Sequence, residues 1–314
     1  MTAVLDAFVL ERAPGPTVQI HPALARLRTA FNATFGVLAT IPDERLTSLW
    51  VWDGNAINVR YAFYRTLEML ESTAAEVARG IAGYPSSEAR DAVGATSAAR
   101  WELQGVLAGL SDADLDADPG GGEWTVRQTM GHIIGGQRGY AWGNAYWISV
   151  RDQAQPPGPR RAPEGLFASM PQDDEEATGT LVDVRQKLDD IVDTTSSRYA
   201  TLTADEMDAA AGWYGFPVTV AFRMWRLPSH IEEHTLQIEK TLDMLGHRAT
   251  EVERLVRLNA RAMGRLEALV FGRAADQLDA AQSGATLDRL AQALHDMTTP
   301  VKAAADTGEP GPPD

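Results

Sequence analysis

Ser229-His230-Ile231-Glu232-Glu233-His234 lies inside a run, residues 220–245, that reads as one long helix stopped by Gly246. Histidines at positions i and i+4 stand on one helical face about one turn apart. Both imidazoles can then reach a single cation from the same side. Position 231 is isoleucine, so the stretch is not the HExxH of a metalloprotease. Gly246 suits the left-handed residue that follows many helices. Pro228 falls inside the run and predicts a kink or a later start.

A second stretch, Trp124 to Gly136 (WTVRQTMGHIIGG), opens another long helix over about 126–150, with Thr125 as its N-cap. It carries His132. Gly131, Gly135, Gly136, Gly139 and Gly143 crowd the same span. Each interior glycine costs a helix about 1 kcal/mol relative to alanine. Gly135, Gly136, Gly139 and Gly143 lie one to three turns beyond His132, near its face. They point to close helix packing, to room for a ligand, or to both. Trp142, Tyr146 and Trp147 continue this helix and read as core or bundle interface more readily than as pocket wall.

Helical patterning extends over the rest of the chain. Leu24, Leu27, Phe31, Phe35 and Leu38 recur at three- and four-residue spacing and predict a helix over 17–40. Further helices are expected over 56–80, 97–110, 174–203, 249–271 and 274–299. Ile41-Pro42-Asp43, the stretch 83–87 and Asp118–Gly122 read as breaks. Residues 152–172 hold Pro156, Pro157, Pro159, Pro163 and Pro171 and predict an extended crossover or lid. Only 216–220 shows a weak strand-like alternation, so the expected fold class is all-α. The tail 306–314 is expected to be disordered.

A faint repeat is present. Val37–Asp43, followed by Val59-Arg60, resembles Val106–Asp112, followed by Val126-Arg127, with a tryptophan ahead of each Val-Arg. This pairing sets Arg65 opposite His132. Duplication and chance likeness of two amphipathic hairpins are both open readings.

Composition narrows the chemistry. A chain of 314 residues suggests about two domains. Its 44% hydrophobic and 23% charged residues are an ordinary globular mixture. There is no cysteine. Disulfides, thiolate ligands and a protein thiol nucleophile are therefore excluded, and a metal must take His, Asp or Glu. The net charge of −15, without a basic stripe, argues against a nucleic-acid partner. No apolar run is long enough for a membrane span. The N-terminus has no basic n-region and does not read as a signal peptide, so a cytoplasmic location is expected. Ala- and Arg-rich usage suggests a bacterial source. His21, His247 and His295 read as capping or surface residues.

Glu123-Trp124-Thr125-Val126-Arg127, then His132-Ile133-Ile134, then Arg226-Leu227, His230, His234 and Gln237–Leu242 occur in an order that resembles the DinB-like superfamily over about 95–245. That superfamily includes DinB/YfiT-like proteins and mycothiol- and bacillithiol-dependent enzymes. The resemblance implies a four-helix bundle over 95–246. It also implies a divalent metal, zinc or nickel, on His132, His230 and His234, with open positions for water. A low-molecular-weight thiol would be the co-substrate, activated for S-transfer or isomerisation of a small-molecule substrate.

The regions 1–90 and 249–305 exceed the minimal family unit. Either 17–80 is a degenerate half-repeat completed by 249–305 into a second bundle, or both are packing extensions. Gln128, Glu233 and Gln237 are spaced to orient the imidazoles. Arg223 and Arg226, one to two turns before His230, are candidates for binding a substrate carboxylate, against the alternative of a solvated helix face. Two other functional classes stand beside the enzyme: a catalytically silent metal-binding stress or sensor protein, and a helical dimerisation module. Aromatic-rich helix faces leave room for a homodimer.

Overall fold

The computed structural model describes residues 19–153 and 160–312. Twelve α-helices and two short hairpins make up the regular structure among these residues. The N-terminal part runs α1 (Pro22–Ala39), β1 (Leu49–Trp52), β2 (Asn55–Asn58) and α2 (Arg60–Gly80). The central part runs α3 (Glu88–Leu107), α4 (Asp112–Asp116), α5 (Val126–Ser149), α6 (Asp173–Glu176), α7 (Leu181–Tyr199), α8 (Ala204–Met207), β3 (Ala210–Trp213), β4 (Phe216–Thr219) and α9 (Val220–Met244). The chain closes with α10 (Glu251–Val270), α11 (Ala275–Ala280) and α12 (Ser283–Thr307). The fold is mostly all-α. No helix is long and apolar enough to cross a membrane among the described residues.

Helices α3, α5, α7 and α9 pack together, and Leu103, Leu107, Met130, Ile133, Leu188, Ile231 and Ile238 fill the space between them. Helices α1 and α2 pack with α10 and α12, so the two ends of the chain lie on each other. Helix α3 lies along α10 and joins the two groups. At this junction Glu267 is fully buried and accepts from Arg28 Nε at 2.7 Å, Trp101 Nε1 at 3.1 Å, and both Arg100 and Ser97. Arg28 also reaches Asp193 at 2.6 Å. Arg100 and Arg28 together overcome burial and hold the Glu267 carboxyl down to about 2.

Pro228 does not interrupt α9. Tertiary contacts support the helix there: the buried Gln137 side chain donates to the Leu227 carbonyl at 2.9 Å. Helix α3 begins well before the expected residue 97, because Ser87 caps it by accepting from the Arg90 amide. The expected 174–203 helix is two pieces, broken at Ala177–Thr180, where Thr180 starts α7 with a capping box. The expected disordered tail is corrected in part. Helix α12 continues to Thr307, and Leu49 and Gly311 bond across to Glu309 and Thr47. Residues 313–314, like Pro156, Pro157 and Pro159 of the proline-rich connection, lie outside the described residues.

Both hairpins turn on two residues with positive φ, Asp53-Gly54 and Tyr214-Gly215. This is the type I′ geometry that matches strand twist. Each hairpin leads directly into a long helix, α2 or α9. In this register Val59 matches Val220, Phe63 matches Met224, Arg65 matches Arg226, Leu70 matches Ile231 and Val77 matches Ile238. The two hairpin-plus-helix units thus set Arg65 opposite Arg226. This register differs from the match of the Val-Arg words, which sets Arg65 opposite His132. Met69 and Thr73 stand where the second unit has His230 and His234.

Candidate metal centre

His132 projects from α5, and His230 and His234 project from α9. Ile133, Ile134, Ile231 and Ile238 are fully buried on the core faces of the same two helices, which leaves the histidine faces to meet beside the core. One ring nitrogen of each histidine lies within 4.8 Å of the others. Ring centroids are 4.7 Å apart for His132–His234, 5.1 Å for His132–His230 and 4.4 Å for His230–His234. No other group of three His, Asp or Glu is assembled this closely among the described residues.

Two of the rings are held from behind. His132 Nδ1 lies 2.9 Å from Asp173 Oδ2, and His234 Nδ1 lies 2.7 Å from Gln237 Oε1. An Nδ1–H donating to each oxygen leaves the Nε2 lone pair for a ligand. The Nδ1 of His230 is buried and has no hydrogen-bond partner among the described residues. Burial, reinforced by His234, His132 and Arg226, pushes His230 down to about 3. Burial and His132 also lower His234. These rings are thus kept in the neutral form that binds metals.

The glycine crowding of α5 has a steric cause. A Cβ on Gly136 would overlap the His230 ring. Side chains on Gly131 and Gly135 would collide with the Asp173 backbone and carboxylate, and one on Gly143 would strike the Arg223 guanidinium. The helix accepts several poor formers because three groups of the site pass against its backbone.

The histidines open on a cleft of about 1140 Å3. Its walls include Trp147, Phe167, Met170, Trp213 and Tyr214. Residues from the segment 160–173 line part of it. Arg160 bridges to Gly215 in the β3–β4 turn, and the segment ends by delivering Asp173 to His132. A set of three imidazoles facing a cleft, with no fourth ligand grouped with them among the described residues, fits a divalent cation with open coordination positions.

Residues 95–238 match the DinB superfamily. Over that span the chain is similar to the DinB superfamily. No curated protein and no solved structure matches the chain. Within the matched span, the sequence candidates divide. His132, His230 and His234 come together, and Gln237 lies on His234. Gln128 does not reach the site, because its Oε1 accepts the Thr125 amide at 2.9 Å in the N-terminal capping box of α5. Glu233 is committed to Arg226 at 3.0 Å rather than to an imidazole.

Arg226 is further held by Ser229 and Tyr140, at 3.1 and 3.3 Å. Arg223 is buried, and donates to Asn144 Oδ1 at 2.8 Å and to the Gly212 carbonyl at 3.0 Å. Trp142 is core, whereas Trp147 lines the cleft. Asp173 was not legible in the sequence. It is 41 residues from His132, and only the glycines that make room for it hint at its presence. His21 caps α1, His247 pairs with Glu253 at 3.3 Å and His295 is exposed, as capping or surface residues would be.

Proposed function

We propose that this protein is a metal-dependent enzyme that activates a low-molecular-weight thiol for S-transfer or isomerisation of a small-molecule substrate. The observation that carries the reading is the convergence of three imidazoles on an open cleft. His132, His230 and His234 would hold the ion, zinc or nickel. Such an ion supplies Lewis acidity that lowers the pKa of a thiol or water entering the cleft. Asp173 and Gln237 keep the donor lone pairs of His132 and His234 directed inward. Phe167 and Met170, which line the cleft, would reduce the water around the reacting groups. The chain has no cysteine, so the sulfur nucleophile must come from a co-substrate.

The test begins with elemental analysis of the purified protein. Near-stoichiometric zinc or nickel, lost in His230→Ala, is expected. Folded wild-type protein that takes up neither metal would overturn the reading. Mycothiol and bacillithiol are then screened by thermal shift on the metal-loaded protein. A stabilising shift supports the enzyme, and none with either thiol leaves a silent metal-binding protein in its place.

A further inference from the structure

We infer that the cleft has a second, anion-binding subsite centred on Arg223 and Arg161. It would take the carboxylate or phosphate of a small amphipathic molecule about 10 Å from the histidine cluster.

The chain as a whole is strongly acidic, at −15, yet this cleft has the opposite local charge. Arg160, Arg161, Arg223 and Arg226 line it, against Asp173 and Glu233. Both acids are engaged, Asp173 with His132 and Glu233 with Arg226. No carboxylate pairs with Arg161 or Arg223 among the described residues. Arg223 is only 7% exposed, and burial lowers its pKa. Its Nε and Nη1 are held by the neutral oxygens of Asn144 and Gly212. A guanidinium buried on neutral partners and facing a cavity lacks its counter-charge, and an anionic ligand would provide it. The Arg161 guanidinium lies against Gly215 in the β3–β4 turn and lines the same cleft.

Placement relative to the histidines follows from helix geometry. Gly136 receives the His230 ring and Gly143 receives Arg223. On α5 and on α9 alike, the two positions are two turns apart along one stripe, about 10 Å at 1.5 Å per residue. The aromatic wall of Trp213 and Tyr214 flanks the arginines and suits an apolar body on the ligand.

The internal repeat gives independent support. The unit with Met69 and Thr73 in place of the histidines has Ala62 in place of Arg223 but keeps Arg65 in place of Arg226. Arg223 is thus absent together with the metal ligands, as expected if it serves the ligand rather than the bundle. The subsite's role, holding the molecule on which the activated thiol acts, rests on the proposed function; anion binding itself does not.

The experiment measures binding of phenylacetate, phenyl phosphate and the neutral phenylacetamide to the full-length protein by calorimetry. Metal content is determined on the same samples, so loss of the metal reading and loss of the subsite are scored separately. Both anions are expected to bind about tenfold more tightly than the amide, and the tighter of the two identifies carboxylate or phosphate as the preferred group. Arg223→Lys, which keeps the charge but not the planar fork, should weaken the anions about tenfold. Arg161→Gln, at an exposed position, should weaken them about threefold and keeps the test decisive if Arg223→Lys does not fold. Amide binding equal to that of the anions, no anion binding at all, or undiminished affinity in every variant that folds would overturn the subsite.

Discussion

Asp173 Oδ2 lies 2.9 Å from His132 Nδ1, and this contact ties a segment that lines the cleft to the histidine cluster. The carboxylate fixes the tautomer and orientation of the only histidine contributed by α5. Asp173→Asn should weaken zinc affinity about 10- to 100-fold, the usual effect of losing such a support. Because Asp173 is half exposed, the fold should survive. Competition with a chromophoric chelator measures the effect, and wild-type affinity in the variant would show that the contact is incidental.

Gly136→Ala separates helix propensity from site geometry. In an ordinary helix this change stabilises by about 1 kcal/mol. Here the new methyl overlaps the His230 ring, and crowding of this kind typically costs about 1–3 kcal/mol. The variant should therefore be no more stable than wild type and should bind metal less well. Urea denaturation and metal content together check it. A stabilised variant with full metal occupancy would contradict the packing described.

Acidification should act on the metal-free protein through His230. Its pKa is about 3 when folded, against 6.5 ordinarily. Below pH 6.5 the unfolded chain binds this proton and the folded chain does not, so stability should fall as pH decreases from 6.5 toward 3. In the window between pH 6.5 and 5, His230→Asn should flatten that slope. Metal loading should oppose it, since a bound cation favours the same neutral ring. Urea midpoints across this range, with and without chelator, provide the measurement.

Glu267 dominates a lower window. Its folded pKa of about 2 lies below the ordinary 4.5, so its contribution is full above pH 4.5 and is lost as pH falls toward 2. Glu267→Ala leaves the Arg28 and Arg100 guanidiniums buried without their shared carboxylate. A loss of about 3–5 kcal/mol is expected. For a chain of this size that lowers the melting temperature by several degrees, readable by calorimetry. A change under about 1 kcal/mol would mean that water or Asp193 replaces the carboxylate.

Much of this architecture was legible locally. The apolar spacing of Leu24 through Leu38, the Thr125 cap and the i, i+4 histidines of α9 depend only on residues within a few turns. The Asp53-Gly54 turn also carried a readable hairpin signal that the expectation of an all-helical chain passed over. Recognising that hairpin would have set the repeat in register. It pairs Val59 with Val220, whereas matching the Val-Arg words alone pairs Val59 with Val126.

The sequence by itself determined that the chain is helical, that α5 and α9 each carry imidazoles on one face, and that the glycines of α5 need an explanation. Helix pitch converts sequence spacing into direction, so these conclusions required no knowledge of distant residues. Tertiary structure alone decided that Asp173 stands behind His132, that Gln128 turns to the helix cap, that Glu233 neutralises Arg226 and that Arg223 is buried without an acid. Those outcomes depend on how a connection comes to line a cleft and which helices pack closely, and no local periodicity encodes where such a path ends.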